Sequence, residues 1–178
     1  STPADSKWTY SENEKLAFNG YTGKEIFYSD SQNLDVTFTG KNTITVYGVA
    51  DESGGEGDAA IKAHQKSLTI SSTAADAELN LNLSTGVFGL WGKALTIGNS
   101  DDATKTTKIV SEGGNRGLYN DGAGLTIQNS YVDVEGSEVA IRSHSTGNLT
   151  ITNSTVIASI DEEGQVNDPS TTASPIFG

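Results

Sequence analysis

Apolar and polar residues alternate with a period of two in short stretches along this chain, and the stretches repeat. Leu95-Thr96-Ile97, Leu125-Thr126-Ile127 and Leu149-Thr150-Ile151 each place two aliphatic side chains on one side of an extended segment and a threonine on the other. Each is followed one residue later by an asparagine and a serine: Asn99-Ser100, Asn129-Ser130 and Asn153-Ser154. Ahead of each lies a second apolar-centred segment, Gly89-Leu90-Trp91, Gly117-Leu118-Tyr119 and Ala140-Ile141-Arg142. Two looser copies come earlier: Ala60-Ile61-Lys62 with Leu68-Thr69-Ile70, and Glu25-Ile26-Phe27 with Leu34-Asp35-Val36.

From the first apolar residue of a copy to its leucine the gaps are 8, 7, 5, 7 and 8, while the leucine itself moves 34, 27, 30 and 24 residues between copies. Constant strands joined by turns of variable length predict a parallel β-helix, a β-solenoid. A third alternating stretch follows the asparagine in each copy: Thr43–Val46, Leu79–Leu83, Lys108–Val110, Val132–Val134 and Val156–Ala158. Three strands per copy predict three faces around a triangular prism, with about five to six coils, right-handed by analogy with parallel crossovers. The inward columns are then Ile26/Ile61/Leu90/Leu118/Ile141, Leu34/Leu68/Leu95/Leu125/Leu149 and Val36/Ile70/Ile97/Ile127/Ile151. Stacking at about 4.8 Å is what buries them, at roughly 1.5–3 kcal/mol for each buried Leu or Ile. A sandwich of short strands is the competing all-β arrangement, but it does not require one tripeptide at one place in every unit. Asn99, Asn129 and Asn153 are expected to hydrogen-bond along the stack as a structural ladder, and the sequons at Asn82, Asn148 and Asn153 read as repeat grammar.

The apolar residues before the first copy, Trp8, Tyr10, Leu16, Phe18 and Tyr21, predict an N-terminal cap over residues 1–21, with the repeats occupying 22–178. Ser174-Pro175-Ile176-Phe177 reads as the opening strand of a further copy, with Ile176 inward, and the natural protein is expected to continue.

If that register holds, the residue after each first inward position points outward: Phe27, Lys62, Trp91, Tyr119 and Arg142. A ladder of rings and cations over four steps, about 19 Å, suits an extended chain of sugar rings, the rings stacking and the cations pairing with carboxylates. Small neighbours at Ala60, Gly89, Gly117 and Ala140 would leave that face open. The plain reading is that aromatic residues cover a sheet face. Ser29, His64, Lys93, Asp121 and His144 border it. A threonine column, Thr69, Thr96, Thr126 and Thr150, lies on the second strand; its neighbours Ser71, Gly98, Gln128 and Thr152 break the regular array that ice binding needs.

The residues quoted, from Trp8-x-Tyr10 and Leu16-x-Phe18 through the Leu-Thr-Ile-x-Asn-Ser units, resemble the solenoid modules of bacterial secreted and cell-wall proteins known as carbohydrate-binding domains. The resemblance covers most of the chain. It implies a secreted or wall-anchored extracellular module of an adhesin, some relatives binding acidic plant polysaccharides with calcium. Lys62 and Arg142 depart from the aromatic residues common at those positions, and no catalytic set is carried over.

Composition narrows the chemistry. The 178 residues carry 23 acids against 11 bases, a net charge of −12, which disfavours nucleic acid and anionic membranes as partners. No window approaches eighteen consecutive apolar residues, so no membrane insertion is expected. There is no Cys, which removes thiol chemistry and thiolate metal sites. Polysaccharide cleavage on such a scaffold needs opposed carboxylates, or calcium with a basic residue, in a groove; with two arginines, Arg116 and Arg142, and no paired outward acids, a lyase-like or hydrolase-like activity is the weakest of the three readings. The expectation is a non-catalytic, monomeric glycan-binding module within a larger chain, and the alternative is a passive stalk. No cofactor is expected. Calcium is the candidate ion, through acidic clusters at Asp51–Asp58, Asp101-Asp102 and Asp161–Glu163, which otherwise read as solvated loops.

Overall fold

The computed structural model describes residues 7–11, 14–48, 59–101, 106–144, 146–161 and 174–177. Numbered in chain order, its strands fall into two sheets. The larger runs through β1 (Trp8–Ser11), β2 (Lys15–Asn19), β5 (Leu34–Thr39), β7 (Ala59–Ser72), β9 (Phe88–Ile97), β11 (Arg116–Gln128), β13 (Val139–Ser143) and β16 (Ser174–Phe177). Beside this path β4 (Phe27–Ser29) pairs with β7 and β14 (Leu149–Thr152) with β11. The smaller sheet is ordered β15 (Thr155–Ile160), β12 (Ser130–Gly136), β10 (Thr107–Gly113), β8 (Glu78–Leu83), β6 (Lys41–Val46) and β3 (Thr22–Gly23).

This architecture corrects the expected three-faced parallel β-helix. In the middle of the molecule the first and second predicted strands of a copy are one strand: β7, β9 and β11 each run through both, with only a register shift between Ala63 and Ser67 and between Asn120 and Gly124. In these three copies the four to six residues between the two inward positions are too few to break the backbone ladder and are absorbed as an irregularity within it, whereas the longer spacings at either end leave β4 and β5, and β13 and β14, separate. The larger sheet is also mixed, because β1 runs antiparallel to β2. The result is an all-β fold of two sheets, mostly parallel.

Within that frame the repeat spacing reappears as register. Leu34, Leu68, Leu95, Leu125 and Leu149 are successive Cα partners, as are Val36, Ile70, Ile97, Ile127 and Ile151. All but Leu149 and Ile151 are buried. The smaller sheet faces them with Ile44, Val46, Leu79, Leu81, Ile109, Val132 and Val134, also buried. At the turn out of the larger sheet, Asn153 donates its amide to Asn129 Oδ1 at 2.7 Å, and Asn129 donates to the Asn99 carbonyl at 2.7 Å. Asn129 and Asn153 hold φ of 48° and 45°, a left-handed conformation that asparagine tolerates better than other side chains. The same corner in β9 uses Gly98, φ 92°, where a Cβ would run into the Gln128 carbonyl.

The first inward column departs from expectation at its start. Phe27, not Ile26, is the partner of Ile61, and Phe27 is buried while Ile26 is exposed. A phenylalanine fills the aromatic end of the core, where it meets Trp8, Phe18 and Tyr21 ring to ring at 4.9–5.8 Å. The residues expected to form a cap are part of the sheet itself, since β2 lies parallel to β5 with Leu16 opposite Val36 and Phe18 opposite Phe38. Ile176 is the partner of Ile141, the place its pattern predicts.

Candidate functional site: the cation and aromatic column

The outward column on the first half of the long strands is assembled by backbone register. Tyr28 lies opposite Lys62, Lys62 opposite Trp91, Trp91 opposite Tyr119, and Tyr119 opposite Arg142. The slip at Phe27 puts Tyr28 in the place expected for that phenylalanine, and Phe27 lies in the core instead. The other four expected residues, Lys62, Trp91, Tyr119 and Arg142, stand in one row.

Their packing is not that of an open face. Trp91 is 1% exposed. Its ring lies 5.0 Å from Phe88 on one side and 5.0 Å from Tyr119 on another, with the Lys62 ammonium 3.6 Å from its centroid. The indole N–H donates to Asp121 Oδ2 at 3.0 Å. The row is also wider than the sequence pattern suggested. Phe88 and Arg116, partners in the adjacent column, join it, the Arg116 guanidinium lying 4.7 Å from the Phe88 ring and 4.9 Å from Tyr119. Arg142 approaches Tyr119 from the far side at 5.6 Å. Ala59, Phe88 and Trp91, with Tyr119 against them, thus make a second small hydrophobic cluster outside the main core.

The small residues Ala60, Gly89, Gly117 and Ala140 do not clear this face. They are buried themselves, and a Cβ on Gly117 would meet Val134 Cβ of the other sheet at 2.8 Å. At Gly89 a Cβ would instead run into the Gly117 carbonyl of the neighbouring strand, so close approach within the core fixes both glycines.

Charge on the column is balanced locally. Arg116 donates to Glu138 Oε2 at 3.0 Å, and Asn115 donates to Glu138 Oε1. Burial lowers the Arg116 pKa, opposed by Glu138, and the neighbouring Arg142 lowers it further; a guanidinium so far from neutral pH stays charged regardless. Lys62, with its head over the Trp91 and Tyr28 rings, is itself buried.

Of the bordering residues, Asp121 accepts the hydrogen bond of the indole N–H, Lys93 is exposed, and His144 Nδ1 lies 3.1 Å from the Thr146 hydroxyl. The tie at this corner is one the repeat pattern does not single out. Asn120, fully buried, donates to the Lys93 carbonyl at 2.9 Å and accepts from the Ser143 hydroxyl at 2.7 Å and the His144 N–H at 3.1 Å. Its signal in the sequence is a polar residue two positions after an inward leucine.

Among the described residues no group of three or more His, Asp or Glu side chains is placed to hold a metal ion. The acidic stretch 51–58, Asp102 and residues 162–163 lie outside the described residues. The threonine column is in register from Thr69 through Thr96 and Thr126 to Thr150 and only partly covered.

Fold and column together define an all-β protein of two mostly parallel sheets, one of them carrying a row of packed rings and cations. Compared with known proteins, the chain matches no family model, no curated protein and no solved structure.

Proposed function

We propose that this chain is a non-catalytic structural segment, a stiff β-sheet stack that sets the distance between whatever adjoins it. The observation that carries the reading is the burial of Trp91, whose ring faces are taken by Phe88, Tyr119 and the Lys62 ammonium. A sugar stacks on an exposed aromatic face, and the central ring of the row has none to offer. The cations that would meet a glycan's carboxylates already lie over rings or beside Glu138. Rings and cations used in this way tie each strand to the next and stiffen the stack.

Glycan binding remains the second reading, supported by Tyr28, which is 57% exposed, and by the half-covered Tyr119 and Arg142 at the other end of the row. Under that reading the module would be extracellular, with a polysaccharide partner and calcium as an optional aid. A glycan array probed with the isolated chain, with and without calcium, separates the two. The structural reading expects no retention on any glycan. Retention that disappears in both Tyr28→Ala and Arg142→Gln overturns it in favour of binding.

A further inference from the structure

The far end of the ring and cation row differs from its middle. Arg116 lies opposite Val139 and Tyr119 opposite Arg142, while the two residues between them on each strand are buried, so these four side chains mark the corners of one outward patch. All four are partly exposed, whereas Phe88 and Trp91 on β9 are buried. The patch lies within the sheet and not at a bare edge, because β13 pairs with β11 on one side and with β16 on the other.

The patch holds both arginines of the chain. Their guanidinium carbons lie 4.9 Å and 5.6 Å from the centroid of the same Tyr119 ring, so two like charges converge on it. Burial disfavours the charge on Arg116, Glu138 favours it, and Arg142 disfavours it again. Glu138 accepts one hydrogen bond, from Arg116 Nη2. Arg116 Nε is buried and has no acceptor among the described residues, and a buried donor left unpaired calls for a reason. Bracing a ring requires only a cation, and Lys62 serves at Trp91. A guanidinium adds a planar fork of donors that matches the paired oxygens of a carboxylate, sulfate or phosphate.

We propose that the patch bounded by Arg116, Tyr119, Val139 and Arg142 binds an oxyanion, held by the exposed ends of the two guanidinium forks with the ring and the valine as its floor. The oxyanion is a free sulfate or phosphate ion, or the same kind of group carried on a sugar chain. The covered Nε takes no part in the contact; it leaves Arg116 short of hydrogen bonds and already desolvated, and attraction to an anion is stronger there than in open water. Glu138 competes for Arg116. An oxyanion here ties β11 to β13. The site goes beyond the structural reading, which stands whether or not the patch is filled.

Titration calorimetry of the chain with sodium sulfate, at an ionic strength held constant with sodium chloride so that screening does not change, is the test, and a glucuronate oligosaccharide is the second probe. The expected result is saturable binding that weakens about tenfold or more in Arg142→Gln and in Arg116→Gln, as the loss of a charge-assisted pair predicts. Binding should be unchanged in Lys41→Gln, an exposed cation of the smaller sheet, and tighter in Glu138→Gln, which removes the competing carboxylate. An oligosaccharide bound more tightly than sulfate assigns the oxyanion to a glycan and favours the second reading. Sulfate bound as tightly or more tightly assigns it to a free ion and leaves the structural reading in place. No saturable binding of either probe overturns the proposal without touching the structural reading, and so does binding that both arginine variants retain in full. The titration of the unmodified chain needs no variant, so a misfolded mutant leaves the question answerable.

Discussion

The two halves of β9 and β11 share strands, backbone ladder and neighbours, yet their outer surfaces have opposite characters. On the first half, Trp91 and Tyr119 have left solvent wholly or partly and formed a second cluster with Phe88 and two arginines. On the second half, Thr96 and Thr126 stand in equally good register and stay partly exposed, with no such cluster above them. Strand neighbours sit about 4.8 Å apart. Large rings at that spacing reach one another and exclude water, whereas threonines stand side by side without overlapping. A column of aromatic residues on a sheet is therefore poor evidence of a ligand face unless the rings are shown to be accessible.

The strongest test of this contrast is Trp91→Ala. If the row is a core, the substitution should cost about 3–5 kcal/mol of stability, the range for truncating a buried aromatic residue, read as a lowered urea midpoint. A cost below 1 kcal/mol would return Trp91 to the surface. Next comes the corner that joins the halves: Asn120→Ala removes the side-chain donor to the Lys93 carbonyl and the nearer of the two acceptors of the Ser143 hydroxyl, which keeps the Gly147 carbonyl, and is expected to cost about 1–3 kcal/mol, with hydrogen exchange at His144 rising before that of the strands. Lys62→Gln removes the cation from Trp91 while keeping a long side chain. Its expected cost is about 0.5–2 kcal/mol, together with a change in tryptophan emission that Lys93→Gln does not produce.

The smaller sheet supplies an electrostatic reference. Lys108 donates to Glu78 at 2.7 Å, and that hydrogen bond holds the Glu78 carboxyl below the usual carboxylate range and raises Lys108. A depressed carboxyl pKa stabilises the fold above its unfolded value, and that contribution is lost as pH falls through the folded one. The difference in Tm between the native chain and Glu78→Gln should thus be small near neutrality and vanish as the solution is acidified past the carboxylate range. A difference that grows on acidification would contradict the assignment. The smallest effect belongs to Thr96→Ala, expected to stay within about 0.5 kcal/mol by the same urea measurement that reports Trp91.

Much of the strand content was legible because alternation and the repeated tripeptides state which side chains share a side. The leucine partners from Leu34 to Leu149 and the five strands of the third group are read directly from that pattern. Ile26 misled because it matches the aliphatic residues of later copies; the aromatic end of the core, with Trp8, Phe18 and Tyr21, takes Phe27 instead, and the register follows the ring that packs against them. Asn120 was passed over because a single buried amide outside the repeated Asn-Ser position has no periodic mark.

Sequence by itself marked most of the extended segments and the stacking of the leucine and the Val36-to-Ile151 columns, since period-two patterning and repeat spacing are local or nearly local properties. Only the tertiary structure decided whether neighbouring strands merge into one sheet, and whether an outward column is open or closed. Those outcomes depend on how far a bend carries the backbone and on how side chains from successive strands fill the space between them, and both arise only once the strands are stacked.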